Sequence, residues 1–325
     1  MRVVLHGLGR VGSGVARLLV ERGHSIAGAI CRRPANEGRD VGEIAGIGTL
    51  GVLASRSADE VLAEARADVA VHATDPRLAV VEPELTQLLE AGLDVLTLTE
   101  EAAFPWGSHP DAAARLDVAA REHDVSVLAT GINPGFIWDT LVGSFSLGSR
   151  SISEITIRRQ TTLSFLSEQT LAQMGMGLSA AEFEAAVASG EVIGHVGTRQ
   201  SLELVGASFG WELESFEESL TGVEGDDGLV CGFRQRAGGR FHGGSIEVDL
   251  QPRLGLEETF DEIELTGSPD RRLRIAPAME PMSTARAVAV NVLPAVVAAE
   301  PGLRTMLDVP FPSARLAGPR AGVAA

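Results

Sequence analysis

The sequence contains no lysine and no tyrosine, so all 27 of its Lys+Arg residues are arginines. This absence excludes a lysine Schiff base, a phosphate-binding loop built on lysine, and a Tyr/Lys catalytic pair. Proton transfer must therefore use Glu, Asp, His, Cys or an ordered water. The two cysteines, Cys31 and Cys231, provide no disulfide framework, and no His, Cys or Glu spacing predicts a metal site.

Positive charge and long apolar runs are also scarce. The formal net charge is −17, which disfavours a nucleic-acid partner because nucleic acids require clustered positive charge. No apolar run reaches the roughly 18 residues that span a bilayer, and no signal peptide precedes the first predicted strand. We therefore expect a cytoplasmic protein without a membrane partner, and its 325 residues allow two domains.

A glycine-rich segment near the start of the chain joins a predicted strand to a predicted helix. Residues 2–6 form an apolar strand, residues 13–22 have helical periodicity, and residues 25–31 form a second strand. This order and length are those of one βαβ unit. The intervening segment has the dinucleotide-binding pattern G-x-G-x-x-G, whose glycines are Gly7, Gly9 and Gly12. Arg10 and Val11, between the last two glycines, are predicted to contact the cofactor as well.

Each glycine of this pattern has a physical purpose. The first permits a tight turn, the second lets the backbone approach a pyrophosphate, and the third lets the helix pack closely on the strand. The pyrophosphate then binds the free amides at the positive end of the helix dipole. The pattern therefore predicts dinucleotide binding; the alternative is a structural turn that binds no ligand.

The end of the second predicted strand indicates which dinucleotide binds. NAD-binding proteins usually place an acidic residue there, which bonds the ribose hydroxyls. This chain has Arg32 and Arg33 instead, and a guanidinium can bind the 2′-phosphate of NADP(H) through two parallel hydrogen bonds. We therefore predict NADP(H) as the cofactor, the alternative being that both arginines are solvated loop residues.

Alternating strands and helices continue to about residue 135, which predicts an α/β fold with a Rossmann-type parallel sheet. Ligands bind at the carboxyl ends of such strands, so Ala73 and Thr74 join the predicted cofactor-binding residues. Residues 136–281 have the pattern of an α+β substrate-binding and dimerisation domain with antiparallel strands. A helix beginning near Met282 is expected to return to the first domain, so we predict residues 1–135 plus 282–325 as the NADP-binding domain.

Several motifs have a family resemblance. A predicted strand ends in Glu100-Glu101, followed by Pro105, a helix, and the loop Gly131-Ile132-Asn133-Pro134-Gly135-Phe136. Together with "GHVGTRQSLELVGASFGW" and "VNVLPAVVAAEPGLRTMLDVP", they resemble the 2,4-diaminopentanoate dehydrogenases and native amine dehydrogenases. These enzymes lie in the superfamily of dihydrodipicolinate reductase. The resemblance extends from the first strand to about Pro310.

The resemblance implies a homodimeric nicotinamide-dependent oxidoreductase that interconverts an amine with ammonia and a small ketone or aldehyde. Many relatives carry an acidic residue where this chain has Arg32, and this departure again favours NADP. Dihydrodipicolinate reductases use a lysine that this chain lacks, so we do not expect their reaction.

The carboxylates Glu100 and Glu101 are the catalytic candidates. Alternate side chains of a strand point to opposite faces, so we expect one of the two to enter the cleft, and Glu100 is closer to the strand end. In the following loop, Asn133 and Gly135 are predicted to contact the cofactor and Pro134 to border the substrate. The remaining candidates for the substrate pocket are Phe136, Trp138, Phe165 and His195 and, by resemblance alone, Thr305 and Met306.

Two alternatives to a general amine dehydrogenase stay open. The first is 2,4-diaminopentanoate dehydrogenase itself, whose substrate carboxylate would need an anchor such as Arg158 or Arg159. The second is an NADP-binding sensor without turnover, because a fold does not guarantee chemistry. A sensor has no need of a carboxylate beside the nicotinamide, so Glu100 favours an enzyme.

Overall fold

The computed structural model describes residues 1–310 and 313–314. The chain divides into a first unit, made of Met1–Gly135 and the segment from Pro281 onward, and a second unit, Phe136–Glu280. The predicted NADP-binding domain extends to residue 325, and residues 311–312 and 315–325 of that prediction lie outside the described residues.

The first unit begins with alternating strands and helices, as the sequence pattern predicts. Its first strands are β1 (Arg2–His6), β2 (Ser25–Ile30), β3 (Ala54–Ser55), β4 (Val69–His72), β5 (Asp94–Thr97) and β6 (Ser126–Ala129). Its first helices are α1 (Arg10–Glu21), α2 (Val41–Ala45), α3 (Ala58–Glu64), α4 (Leu78–Glu90) and α5 (Pro110–Glu122). Short 3₁₀ turns lie at Pro34–Asn36 and Glu100–Ala102.

Proline is typical of the first turn of a helix, so Pro83 alone would place the start of helix α4 near residue 82. The helix begins at Leu78, and Pro83 lies inside it. The earlier start has a specific cause, because a carboxylate oxygen of Glu101 accepts the Leu78 amide at 2.7 Å. An expectation based on the proline places the helix start too late, because the carboxylate that stabilises the start comes from a segment distant in sequence.

The second unit contains a six-stranded sheet with helices. Its strands are β7 (Ser151–Thr162), β8 (Leu213–Glu224), β9 (Val230–Phe241), β10 (Gly244–Arg253), β11 (Phe260–Ser268) and β12 (Arg271–Ile275). Its helices are α6 (Thr140–Ser146), α7 (Glu168–Gln173), α8 (Ala180–Ser189) and α9 (Thr198–Ser208). Ser179 followed three residues later by Glu182 is the sequence pattern of a capping box, and in helix α8 the two side chains do bond each other's backbone amides.

The order of this sheet is β12-β11-β7-β10-β9-β8. The expectation of antiparallel strands is wrong for its centre, because β7 and β10 pair in parallel. The other neighbours are antiparallel. Residue alternation reports which face of a strand is buried but not the direction of its neighbour, so the sequence pattern fits either pairing.

After the second unit the chain returns to the first with α10 (Pro281–Val297) and β13 (Gly302–Arg304). The first sheet is parallel, with the order β13-β6-β5-β4-β1-β2-β3. Leu293 and Val296 of α10 are fully buried in the same apolar core as Val15 and Leu19 of α1. Among the described residues, we find no helix that combines the length and the apolar character needed to cross a bilayer.

The glycine turn after β1 is packed against backbone at two of its three glycines. Gly7 has a φ of +107°, and a Cβ there would overlap the carbonyl group of Ala73. A Cβ on Gly12 would overlap the carbonyl oxygen of Gly7. Gly9 differs, because a Cβ there would meet no atom within 4 Å, and its φ of −78° suits any residue.

We predict that Gly12→Ala destabilises the protein without cofactor by roughly 1–3 kcal/mol, because backbone must move to admit the methyl group. Gly9→Ala is the matched control and is expected to change the free energy of unfolding by less than about 0.5 kcal/mol. Urea unfolding of both variants tests this contrast. Equal stabilities would contradict the packing described here.

Candidate active site

The predicted site residues of the first unit lie at the carboxyl edge of the parallel sheet. The glycine turn follows β1, Arg32 follows β2, and Ala73 and Thr74 follow β4. Glu100 follows β5, while the loop with Asn133, Pro134 and Gly135 follows β6. Parallel strands place these ends side by side, and the strand order puts β1, β4, β5 and β6 next to one another.

The turn from Gly7 to Gly12 has the features that a dinucleotide pyrophosphate requires. Gly9 is the N-terminal cap of α1, and no side chain caps this helix end. The first amides of a helix have no intrahelical acceptor, so those of Arg10 and Val11 can receive phosphate oxygens. The open space at Gly9 and the close packing at Gly7 and Gly12 match the three roles of the pattern.

The two arginines after β2 differ in their surroundings. The Nε and Nη2 atoms of Arg32 both lie 2.6 Å from Oε1 of Glu84 on α4, and its side chain is 39% exposed. Arg33 is exposed. Both arginines are therefore exposed, and Arg32 is paired with a carboxylate.

Glu84 is the centre of a polar cluster beneath these strand ends. Its Oε2 accepts hydrogen bonds from the Thr74 hydroxyl at 2.7 Å and from His72 Nε2 at 2.8 Å. Burial lowers the pKa of His72. Burial and the neighbouring His72 also lower the pKa of His6, to about 4. Both imidazoles are therefore neutral at neutral pH, and their rings make an edge contact at 5.2 Å.

His6, His72 and Glu84 have the residue types of a metal site, and their potential ligand atoms lie within 4.8 Å of one another. The Glu84 oxygens are already engaged by Arg32, Thr74 and His72. Because protein donors occupy these lone pairs, the cluster fits a hydrogen-bond network better than a metal site.

The structure separates the two catalytic candidates after β5. Glu101 accepts the amide of Leu78, and its Oε2 lies 3.2 Å from His109 Nε2, so its carboxylate stabilises the start of α4. Burial raises the pKa of Glu100 well above its usual range, and the charge of Glu101 adds to this shift. Glu100 is therefore the better candidate for exchanging protons near neutral pH.

The loop after β6 is fixed by its backbone. Gly135 has a φ of +123°, and a Cβ there would overlap the Gly131 amide nitrogen and Thr130. Asn133 and Pro134 are buried, so the loop has a defined path beside the end of β5. This position is compatible with the predicted cofactor role of Asn133.

The second unit brings two of the predicted pocket residues together. Trp138 is buried, and its ring makes an edge contact with His195 at 5.2 Å. The backbone of His195 is bonded at both its amide and its carbonyl by Gln235, at 2.6 and 2.8 Å. Phe136 is half-buried, whereas Phe165, in the segment after β7, is 39% exposed.

The two residues predicted by resemblance alone lie after β13, in the first unit. The Thr305 hydroxyl donates to Asp308 at 2.8 Å, so it is engaged within its own turn. Met306 packs in the apolar core that contains Val15. Neither side chain has surroundings that indicate a ligand.

The proposed carboxylate anchors of the second unit are ion-paired. Arg158 bonds Glu262 at 3.1 Å and Glu264 at 2.5 Å. Arg159 is buried and lies 2.6 Å from Asp261. A substrate carboxylate would have to displace these internal partners.

Sequence reasoning missed the Glu84 cluster. A usable signal was present, because His6, His72 and Thr97 are each the last residue of a buried strand. Polar residues at matching strand ends indicate a shared polar layer. Glu84 itself lies at helical spacing from the buried residue Val81.

Comparisons with known proteins agree with the family resemblance. Residues 136–324 match the family model of the 2,4-diaminopentanoate dehydrogenase C-terminal domain. Residues 1–96 match the model of the dihydrodipicolinate reductase N-terminus. The chain is 29% identical to 2,4-diaminopentanoate dehydrogenase of Acetoanaerobium sticklandii, over 97% of this chain and 94% of that protein.

Solved structures give the same result. Amine dehydrogenase from Mycobacterium smegmatis superposes with a TM-score of 0.85 at 26% identity, covering 98% of this chain and 97% of that one. Biliverdin reductase from Synechocystis sp. PCC 6803, solved with biliverdin and NADP⁺, shares the fold alone, with a TM-score of 0.56, 13% identity and 94% of each chain covered. The family model covers more than half of the chain and confirms the resemblance seen in the motifs, so this protein belongs to the 2,4-diaminopentanoate dehydrogenase family.

Proposed function

We propose that the protein is an NADP-dependent amine dehydrogenase, which reversibly converts a small ketone or aldehyde and ammonia into an amine. Family membership and the similarity to an amine dehydrogenase support this proposal. The observation that carries it is Glu100, a carboxyl group with a raised pKa at the end of β5. A dinucleotide lying along the sheet edge, with its adenosine over β2, extends its nicotinamide half toward β4, β5 and β6.

Glu100 can perform the proton transfers that amine chemistry requires. Ammonia adds to the carbonyl carbon to form a carbinolamine, and water must leave before the carbon can be reduced. Ionised Glu100 takes one proton from ammonium, the resulting ammonia adds to the carbonyl carbon, and a second proton moves from nitrogen to oxygen to give the neutral carbinolamine. Protonated Glu100 then donates its proton to the hydroxyl group, which leaves as water. Its anionic form stabilises the iminium that results. When bound, NADP(H) supplies or accepts the hydride at the carbon attached to nitrogen.

A raised pKa suits this double role. A carboxyl group with an ordinary pKa is almost fully ionised at neutral pH and rarely has a proton to donate. Burial of Glu100 raises its pKa toward the working pH, which favours a group that must both accept and donate a proton. The carboxylate of Glu101 instead accepts the Leu78 amide and lies beside His109, so it stabilises the start of α4.

A second candidate substrate is 2,4-diaminopentanoate, because a dehydrogenase of that name is 29% identical to this chain. That substrate carries a carboxylate, and the ion pairs of Arg158 and Arg159 disfavour both arginines as its anchor. We therefore favour a substrate without a carboxylate group.

We expect the purified protein to oxidise NADPH when concentrated ammonia and a small aliphatic ketone are both present. Absorbance at 340 nm, the band of the reduced cofactor, follows the reaction, and omission of either ammonia or the ketone is the control. Faster oxidation of 2,4-diaminopentanoate than of simple amines would favour the second candidate. NADPH binding without turnover on any carbonyl compound would instead indicate a sensor.

Glu100→Gln should lower kcat by about 10²–10⁴-fold, because the amide can neither accept nor donate the required proton. Binding of NADPH should be retained, as measured by nicotinamide fluorescence. Glu101→Gln is the matched control, and we expect a much smaller loss of kcat from it. If Glu101→Gln is inactive and Glu100→Gln is active, the roles are reversed; if both are active, the carboxylate mechanism fails.

The same variant tests the burial of Glu100 through stability. Its pKa is raised in the folded state, so the folded protein binds more protons than the unfolded chain above the usual glutamate pKa of about 4.3. The contribution of Glu100 to stability therefore falls as pH rises from the usual glutamate pKa to the raised pKa of the folded state. Glu100→Gln should match wild type at pH 4 or below and become relatively more stable with rising pH, by about 1.4 kcal/mol per unit of pKa shift. Parallel pH profiles of unfolding free energy would contradict this expectation.

We further propose a homodimer formed through the face of the six-stranded sheet that is opposite its apolar side chains. This face carries Arg158, Arg234 and Arg236 beside Glu247 and Asp249, and Arg236 is 58% exposed. Alternating charges of both signs can pair with a second copy, so the dimer should weaken with salt.

Light scattering at micromolar concentration should give a dimer mass, and Arg236→Glu should shift the equilibrium toward the monomer. A wild-type monomer at low salt would contradict the proposal.

A further inference from the structure

The carboxylate of Glu84 joins the end of β2 to the end of β4. Its Oε1 accepts from Nε of Arg32 at 2.6 Å, and Nη2 of Arg32 lies 2.6 Å from the same oxygen. Its Oε2 accepts from Thr74 at 2.7 Å and faces His72 Nε2 at 2.8 Å. Both oxygens of Glu84 thus have side-chain partners, one of which is Arg32.

The protonation states of this cluster are fixed by its contacts. Burial alone would raise the pKa of Glu84, but hydrogen bonds from His72, Thr74 and Arg32 and the nearby His6 lower it to about 2. Glu84 is therefore ionised. Neutral His72 must place its proton on Nε2 to bond Glu84, and its Nδ1 lies 2.9 Å from the Thr97 hydroxyl oxygen.

These bonds tie Glu84 to a rigid part of the fold. His72 and Thr97 are fully buried neighbours on β4 and β5, and Thr74 is anchored directly after β4. Arg32, by contrast, lies on a surface loop and has a long side chain with high rotamer entropy. The orientation of its guanidinium is therefore determined by Glu84.

We propose that Glu84 is a positioning residue that sets the preference for NADP(H) over NAD(H) by orienting Arg32 toward the 2′-phosphate; this inference rests on the cofactor choice in the proposed function. Glu84 occupies the Nε edge of the guanidinium and leaves Nη1 for a phosphate oxygen. A preoriented arginine loses less conformational freedom when the phosphate binds.

The negative charge of Glu84 also repels the phosphate, and this repulsion opposes the benefit of orienting Arg32. The side chain of Arg32 is 39% exposed, so water and salt would screen the repulsion between Glu84 and a phosphate bound by Arg32. Arg33, exposed beside it, adds positive charge to the same loop. The loss of orientation is therefore expected to exceed the relief of repulsion when Glu84 is neutralised.

The test measures dissociation constants of NADPH and NADH by fluorescence titration, without any substrate. Glu84→Gln should weaken NADPH binding about two- to tenfold while NADH binding changes less. Glu82→Gln is the matched control, because Glu82 is on the same helix and pairs with Arg115; it should alter neither constant. In an Arg32→Ala background, Glu84→Gln should have no further effect on the ratio of the two constants.

An unchanged ratio, or tighter NADPH binding, in Glu84→Gln would overturn the proposal. If Glu84→Gln does not fold, Arg32→Lys replaces it in the test, because lysine keeps the positive charge but lacks the Nε–H group that bonds Glu84. Arg32→Lys should lose the preference for NADPH over NADH. A retained preference in Arg32→Lys overturns the proposal. If Arg32→Ala itself leaves the ratio unchanged, the proposal also fails. The titrations contain no ammonia or carbonyl compound, so failure of the proposed amine chemistry is recognised separately, in the wild-type turnover assay.

Discussion

A parallel sheet is stable when helices cover both of its faces, and in the first unit this requires two distant parts of the chain. Helix α4 and helix α5 cover one face, while α1 and the returning α10 cover the other. The return is fixed by β13, which pairs with β6, and by the buried bond from Ser126 to the Val296 carbonyl at 2.8 Å. With both faces buried, the carboxyl edge remains the accessible place for a ligand, and the polar side chains collect there.

The register of the central strands then determines the chemistry at that edge. His6, His72 and Thr97 lie side by side because β1, β4 and β5 pair in register, and this layer holds Glu84 under the cofactor loops. Three residues after Thr97, at the end of β5, the chain turns at Glu100. Its carboxyl has a raised pKa because of burial, whereas the carboxylate of Glu101 accepts the first amide of α4. These different surroundings are the basis for proposing proton transfer for Glu100 and a structural role for Glu101.

Local patterns predicted the elements whose formation depends on their own residues. The glycine turn, helix α8 with its capping box, and the apolar strand β1 are of this kind. Strands β3 and β13 could not be predicted, because segments as short as Ala54–Ser55 and Gly302–Arg304 are strands solely through pairing with β2 and β6. The parallel pairing of β7 with β10 and the Arg32–Glu84 contact depend on residues far apart in sequence. Such contacts leave no periodicity along the chain, so the strand ends could be predicted from the sequence but the contacts between them could not.

The account depends most on Glu100 as a buried carboxyl group that exchanges protons. Its titration can be followed by ¹³C NMR of labelled glutamate carboxyls in the wild-type protein, with Glu100→Gln and Glu101→Gln to assign the signal. We predict a carboxyl signal that titrates well above the usual glutamate range. This signal should be absent from the spectrum of Glu100→Gln and present in that of Glu101→Gln. A Glu100 signal that titrates at an ordinary pKa would contradict the account, because the group would then have no proton to donate near neutral pH.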